Sequence, residues 1–170
     1  LDCGLFQGRV ENIDQLNQEW LFDPKEIDLL ILSHAHIDHC GRIPKLVKDG
    51  FKGDIFCTHA TRDLVSIMLM DAAHIQERDV EFYNKRLAEK KRKNPRYKGQ
   101  HREPLYSAKD VANAMTLFVG MSYDRLIEIS PGVHLIFTDA GHILGSASVN
   151  LRIKTQGDDL RFAFSGDIGR

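Results

Sequence analysis

Residues 33–42 read Ser-His-Ala-His-Ile-Asp-His-Cys-Gly-Arg and stand directly behind the apolar run Leu29, Leu30, Ile31, Leu32. Four candidate metal ligands, His34, His36, Asp38 and His39, fall within six consecutive positions. A nearly continuous apolar run such as Ile27 to Ser33 suits a strand covered on both faces. A strand projects alternate side chains to one side, so His34 and His36 at its end aim the same way, and the turn that follows swings Asp38 and His39 beside them. Crowded there, three histidines would repel one another if protonated and need desolvation if neutral. Without a metal the cluster has no evident stabilising role. Neutral imidazole with carboxylate suits zinc, with iron or manganese as the other readings.

Upstream of this stretch, Asp2 and Gly4 read as the close of a strand fragment. Glu11 to Trp20 follows as a short helix that turns Ile13, Leu16 and Trp20 inward. Downstream, a helix is predicted from Asp38 to Lys48, with Pro44 tolerable only near its start. Gly50 and Gly53 end that unit, and Asp54 to Thr58 reads as a short buried strand. Thr61 is expected to cap a long helix with Leu64, Val65, Met68, Ala72 and Ile75 on one side. Ser107 and Asp110 form a capping box for a helix ending near Phe118. The period then changes. Leu126–Ser130, Pro131-Gly132 and Val133–Thr138 predict a hairpin. Val149, Leu151 and Ile153 alternate with polar residues, as do Leu160, Phe162 and Phe164 after the turn at Gly157-Asp158. The pattern predicts an α/β architecture, a mixed sheet covered by helices.

The 170 residues suit one domain with a sizeable core. Formal net charge is −1, which favours no partner by itself. No apolar run approaches the roughly 20 residues needed to span a bilayer, and no signal-peptide pattern opens the chain. Cys3, Cys40 and Cys57 are odd in number and scattered, which argues against a disulfide framework and for a reducing, cytoplasmic setting. Cys40 adjoins His39, yet a small buried residue packing the turn is the better reading. Charge is uneven along the chain. Nine of its 23 bases and one of its 24 acids fall within residues 85–102, leaving the remainder at −9. Lys90, Lys91, Arg92, Lys93 and Arg96 in this basic insertion are candidate contacts to a nucleic-acid phosphate backbone; a solvated surface excursion is the alternative.

Two later stretches repeat the look of a strand delivering a polar residue into a glycine-bracketed loop: Asp139-Ala140-Gly141-His142-Ile143-Leu144-Gly145-Ser146 and Ser165-Gly166-Asp167-Ile168-Gly169-Arg170. His142 and Asp167 bring the candidate ligands to six, enough for two adjacent metals. The H-x-H-x-D-H run, the later A-G-H, the S-G-D and the opening L-D-C-G together resemble, in order, the metallo-β-lactamase superfamily. The wording S-H-A-H-I-D-H-C-G-R, A-G-H-I-L-G-S-A and F-S-G-D-I-G-R resembles its β-CASP branch of RNA-processing nucleases.

The resemblance implies an αββα sandwich, present here in part, with residues 1–170 forming a partial metallo-β-lactamase domain. It implies that His34, His36 and His142 hold one zinc, that Asp38, His39 and a bridging Asp167 hold a second, and that Asp2 orients ligands from behind. Two such zincs would lower the pKa of a shared water for in-line attack on the phosphorus, with Asp38 as the expected catalytic proton acceptor. RNA is the implied substrate and a β-CASP domain in cis the implied partner; a homodimer is a candidate assembly. The chain reads as a piece of a longer protein, and the segment alone is expected to hold the second metal poorly. His59, His74, His101 and His134 match no ligand motif and are assigned structural or surface roles. A glyoxalase II-like thioesterase and a non-catalytic scaffold subunit are the rival functions.

Overall fold

The computed structural model describes residues 1–8 and 12–169. The expected start of the first helix at Glu11 and the final Arg170 lie outside the described residues. Two sheets form, and not the one mixed sheet read from the sequence. The first is parallel, in the order β1 (Leu29–Ile31), β2 (Asp54–Thr58), β3 (Phe118–Met121). Its crossovers are helical: α2 (Ile37–Cys40) and α3 (Ile43–Lys48) between the first two strands, α4 (His59–Lys93) and α5 (Ala108–Met115) between the next. The second is an antiparallel meander of β4 (Ile127–Ser130), β5 (Val133–Asp139), β6 (Ala147–Ile153) and β7 (Leu160–Phe164).

Alternation along each strand divides the core into two layers. Leu30, Ile55, Cys57 and Phe118 face Ile43, Leu46, Val65, Leu69, Val111 and Ala114 of the helices. Ile31, Phe56 and Met121 face the other way, against Leu135, Phe137, Ala147 and Val149 of the meander. Helix, sheet and sheet are thereby stacked as three of the four layers of an αββα sandwich. Among the described residues no helix covers the outer face of the meander. Leu160 and Phe162 pair with Ile153 and Leu151, yet remain 55% and 44% exposed, and of β7 it is Phe164 that packs against the core between the sheets.

Several local expectations shift. The opening residues form no strand; Asp2 N–H donates to Ile31 O and Cys3 N–H to His39 O. Helix α1 (Ile13–Gln18) is shorter than expected and buries none of its residues; Leu16 is 42% exposed. Residues 38–48 make two helices instead of one, since Pro44 lacks an N–H and starts a new first turn. Thr58, not Thr61, caps α4: its hydroxyl accepts from Thr61 N–H. Buried Thr61, Val65, Leu69 and Ala73 make a ridge at spacing four, which leaves Ile75 exposed. Helix α5 has the predicted capping box but stops at Met115.

Candidate metal centre

Parallel strands present their carboxyl ends on one edge of a sheet, and loops there collect ligands. His34, His36, Asp38 and His39 follow the end of β1, His142 lies in the β5–β6 loop, and Asp167 follows β7. Ala147 N–H donates to Ser33 O, which closes the meander onto the end of β1. His34 Nε2 and His142 Nε2 stand 3.0 and 3.1 Å from His36 Nδ1. Asp167 Oδ2 lies 3.8 Å from His34 Nε2 and 3.5 Å from His142 Nε2. Its other oxygen, Oδ1, is 3.6 Å from His39 Nε2, which in turn lies 3.9 Å from Asp38 Oδ2. One carboxylate therefore faces two histidines with one oxygen and a third with the other.

The donor set fits a cation. Tetrahedral zinc at 2.0–2.1 Å from its nitrogens separates them by about 3.3–3.4 Å along each edge of the tetrahedron. His34, His36, His142 and Asp167 each offer one ligand atom, and the four atoms lie within 4.8 Å of one another. His34 is 1% exposed, and burial first, then the neighbouring His39 and His36, lower its pKa from 6.5 to about 4, which keeps the ring neutral and able to ligate. Asp38 and Asp167 are about half exposed, so the site has a buried imidazole floor and an open carboxylate rim.

Behind the floor, Asp2 Oδ1 accepts from Ser33 N–H at 2.7 Å, while Oδ2 accepts from Ser33 Oγ at 2.8 Å and from His39 Nδ1 at 2.7 Å. Ser33 has given its only hydroxyl proton to Asp2, so His34 Nδ1, 3.0 Å away, must donate to Ser33 Oγ. Both His34 and His39 thus carry their proton on Nδ1 and turn an Nε2 lone pair to the cluster. Gly4 lets this segment approach: a Cβ there would sit 1.6 Å from Asp38 O.

The His142 loop is pinned by residues that motif reading passed over. Ser146 Oγ accepts from His142 N–H and Ile143 N–H, and Thr58 and Thr61 hydroxyls both donate to Gly145 O. Tyr123 OH donates to Ser146 O. Only the position of Ser146 in a glycine-bracketed motif could have flagged it; Thr58, Thr61 and Tyr123 are remote in sequence and carry no local signal. Cys40 is fully buried, donates from Sγ to Ala35 O and has its pKa pushed up to about 12 by burial, so it packs the turn. Lys90, Lys91, Arg92 and Lys93 occupy the last turn of α4, with Arg96 just beyond, all exposed and apart from the cluster.

The family model of the metallo-beta-lactamase superfamily matches residues 1–170, and the chain belongs to that superfamily. The resemblance to it and to its β-CASP branch is borne out. Ribonuclease TTHA0252 of Thermus thermophilus is 33% identical over 169 residues, 99% of this chain and 32% of that protein. Transcription termination factor FttA of Cenarchaeum symbiosum is 29% identical over 170 residues, 99% of this chain and 23% of that protein. FttA of Methanococcus maripaludis is 35% identical over 148 residues, 86% of this chain and 20% of that protein. The chain therefore spans a third or less of the length of these relatives. Among solved structures, a B3 metallo-β-lactamase with an active-site glutamic acid aligns at a TM-score of 0.48 with 17% identity, covering 94% of this chain and 49% of that one. The superfamily binds metal ions, and the His/Asp group is where this chain has the donors for them.

Proposed function

We propose that this chain supplies the metal-binding and catalytic part of a zinc-dependent ribonuclease that cleaves RNA phosphodiester bonds. The observation that carries the reading is the double-facing carboxylate of Asp167, with one oxygen toward His34 and His142 and the other toward His39. That arrangement suits two ions side by side: His34, His36 and His142 would hold one, Asp38 and His39 the other, with Asp167 between. Two such ions supply an activated water near neutral pH and neutralise charge on the phosphoryl oxygens.

The chain's own groups do the rest. Asp2, directly and through Ser33, keeps His39 and His34 in the tautomer that presents Nε2. Asp38, on the open rim, accepts a proton at Oδ2 from the attacking water and holds that water in line with the phosphorus. Ser146 fixes the His142 backbone, and buried His34 excludes water from below. Lys90, Lys91, Arg92, Lys93 and Arg96 would meet the phosphate backbone away from the scissile bond. Because the relatives are about three to four times longer, the activity is assigned to the whole protein, in which a β-CASP domain in cis would close over the rim.

The test is cleavage of a labelled RNA by the full-length protein with zinc supplied, compared with the His36→Ala/Asp38→Ala double variant. The wild type is expected to leave a 5′-phosphate and a 3′-hydroxyl, and the variant to lose cleavage. Cleavage that survives both substitutions overturns the reading. Turnover of a thioester in the absence of RNA cleavage would replace it with the thioesterase alternative.

A further inference from the structure

Helix α4 outruns the core that it caps. After Ala73 its next buried residue is Leu87, and what covers Leu87 is the chain turning back beyond Lys93. Asn84 clamps that return in both directions: Nδ2 donates to Arg102 O at 2.8 Å and Oδ1 accepts from Arg102 N–H at 3.0 Å. Gly99 lies so close that a Cβ there would fall 2.4 Å from Leu87 Cδ1 and 2.6 Å from the Tyr97 ring. Tyr97 is thereby set opposite the helix, and between them runs a groove of about 220 Å³ lined by Phe82, Tyr83, Arg86, Leu87, Lys90 and Tyr97.

Two features of the groove go together. Phe82 is 63% exposed and Tyr97 38%, an arrangement that aqueous solvent alone does not favour. Each ring carries a cation, Arg86 at 5.5 Å from the Phe82 centroid and Lys90 at 5.2 Å from that of Tyr97. Bases at the end of a helix suit the negative end of its dipole. That accounts for the charge at Lys90 to Lys93 but not for open aromatic faces among the bases. Aromatic faces interleaved with cations are what single-stranded nucleic acid uses: every base has a face to stack, and every linkage has a phosphate.

We propose that this groove is a docking site for single-stranded RNA, with bases stacking on Phe82 and Tyr97 and phosphates meeting Arg86 and Lys90. It deepens the ribonuclease reading and rests on it for the choice of RNA as ligand. At 1.5 Å per residue, Phe82 to Lys90 stand roughly 30–45 Å along α4 from Thr61, beside the His142 loop, so the groove grips RNA well away from the bond that is cut.

The experiment is fluorescence anisotropy of the full-length protein, in EDTA, with a labelled unstructured RNA of about 20 nucleotides. Phe82→Ala with Tyr97→Ala is expected to raise Kd by about thirtyfold or more, one stacked base being lost at each ring. Arg86→Gln with Lys90→Gln should reduce the slope of log K against log salt by about 1.4, at about 0.7 per phosphate contact. Lys154→Ala, at the far end of the meander, serves as the control, and thermal melts confirm that each variant is folded. Kd within twofold of wild type for the aromatic pair, a duplex binding as tightly as the single strand, or polyglutamate displacing the RNA through Phe82 and Tyr97 would each overturn the proposal, the last in favour of an acidic protein partner. RNA that binds as expected in EDTA but is not cleaved on adding zinc leaves the docking site standing and removes the ribonuclease reading. Zinc-supported cleavage with binding indifferent to Phe82 and Tyr97 does the reverse.

Discussion

Replacing Asp2 by asparagine exchanges one oxygen for an amino group and should disarm two histidines at once. Asp2 has φ 50°, a left-handed conformation that asparagine tolerates, so the backbone gives no reason for the variant to misfold. Ser33 N–H can only donate, which holds the amide oxygen at the Oδ1 position and puts NH2 where Oδ2 was. That NH2 meets two former donors, Ser33 Oγ and His39 Nδ1. Both must become acceptors. Ser33 then turns its proton on His34 Nδ1, and the protons of His34 and His39 move to Nε2, the atoms that face the cluster. Loss of an outer partner costs about 10–100-fold in metal affinity, and His34 and His39 would serve different ions, so each ion is expected to bind about ten- to a hundredfold more weakly. Competition with a chromophoric zinc chelator measures the affinity. Long-range 15N–1H spectra of the metal-free protein report the tautomers directly, with Nδ1–H in the wild type and Nε2–H in the variant. Wild-type affinity in Asp2→Asn, or unchanged tautomers, would refute the reasoning.

Other outcomes follow from the same structure. Because His34 has a folded pKa of about 4 against an ordinary 6.5, the unfolded chain binds its proton first as pH falls. Metal-free protein should therefore lose about 3 kcal/mol between pH 6.5 and 4 from this group, seen as a falling midpoint in urea melts; a flat profile over that window contradicts it. Gly145→Ala places a Cβ 2.4 Å from Thr61 N at φ +83°, and should cost about 2–4 kcal/mol while weakening metal binding through His142. Ser107→Ala opens the capping box of α5 and should lower stability by about 1 kcal/mol in thermal melts, with metal affinity unchanged.

The sequence by itself determined where the candidate ligands at the end of β1 lie. Ligand type and spacing are local, and so are capping boxes, hairpin turns and the alternation of strands, which is why Ser107 with Asp110 and Pro131-Gly132 were legible. It also determined that His142 and Asp167 sit in glycine-bracketed loops after strands, because glycine marks sharp bends. Contacts across the chain were another matter. That Asp167 presents different oxygens to His34 and His39 depends on the meander closing on β1 through Ala147 and Ser33. That Thr58 and Thr61 hold Gly145, 87 and 84 residues away, depends on α4 starting beside that loop. The split into two sheets was carried by the resemblance and not by periodicity, because a buried parallel strand and the inner face of a meander carry similar apolar residues, and only packing shows which faces which. The basic stretch was visible as charge, but the groove was not: Phe82 and Tyr97 are 15 residues apart in sequence, and the return past Gly99 alone makes them walls of one site.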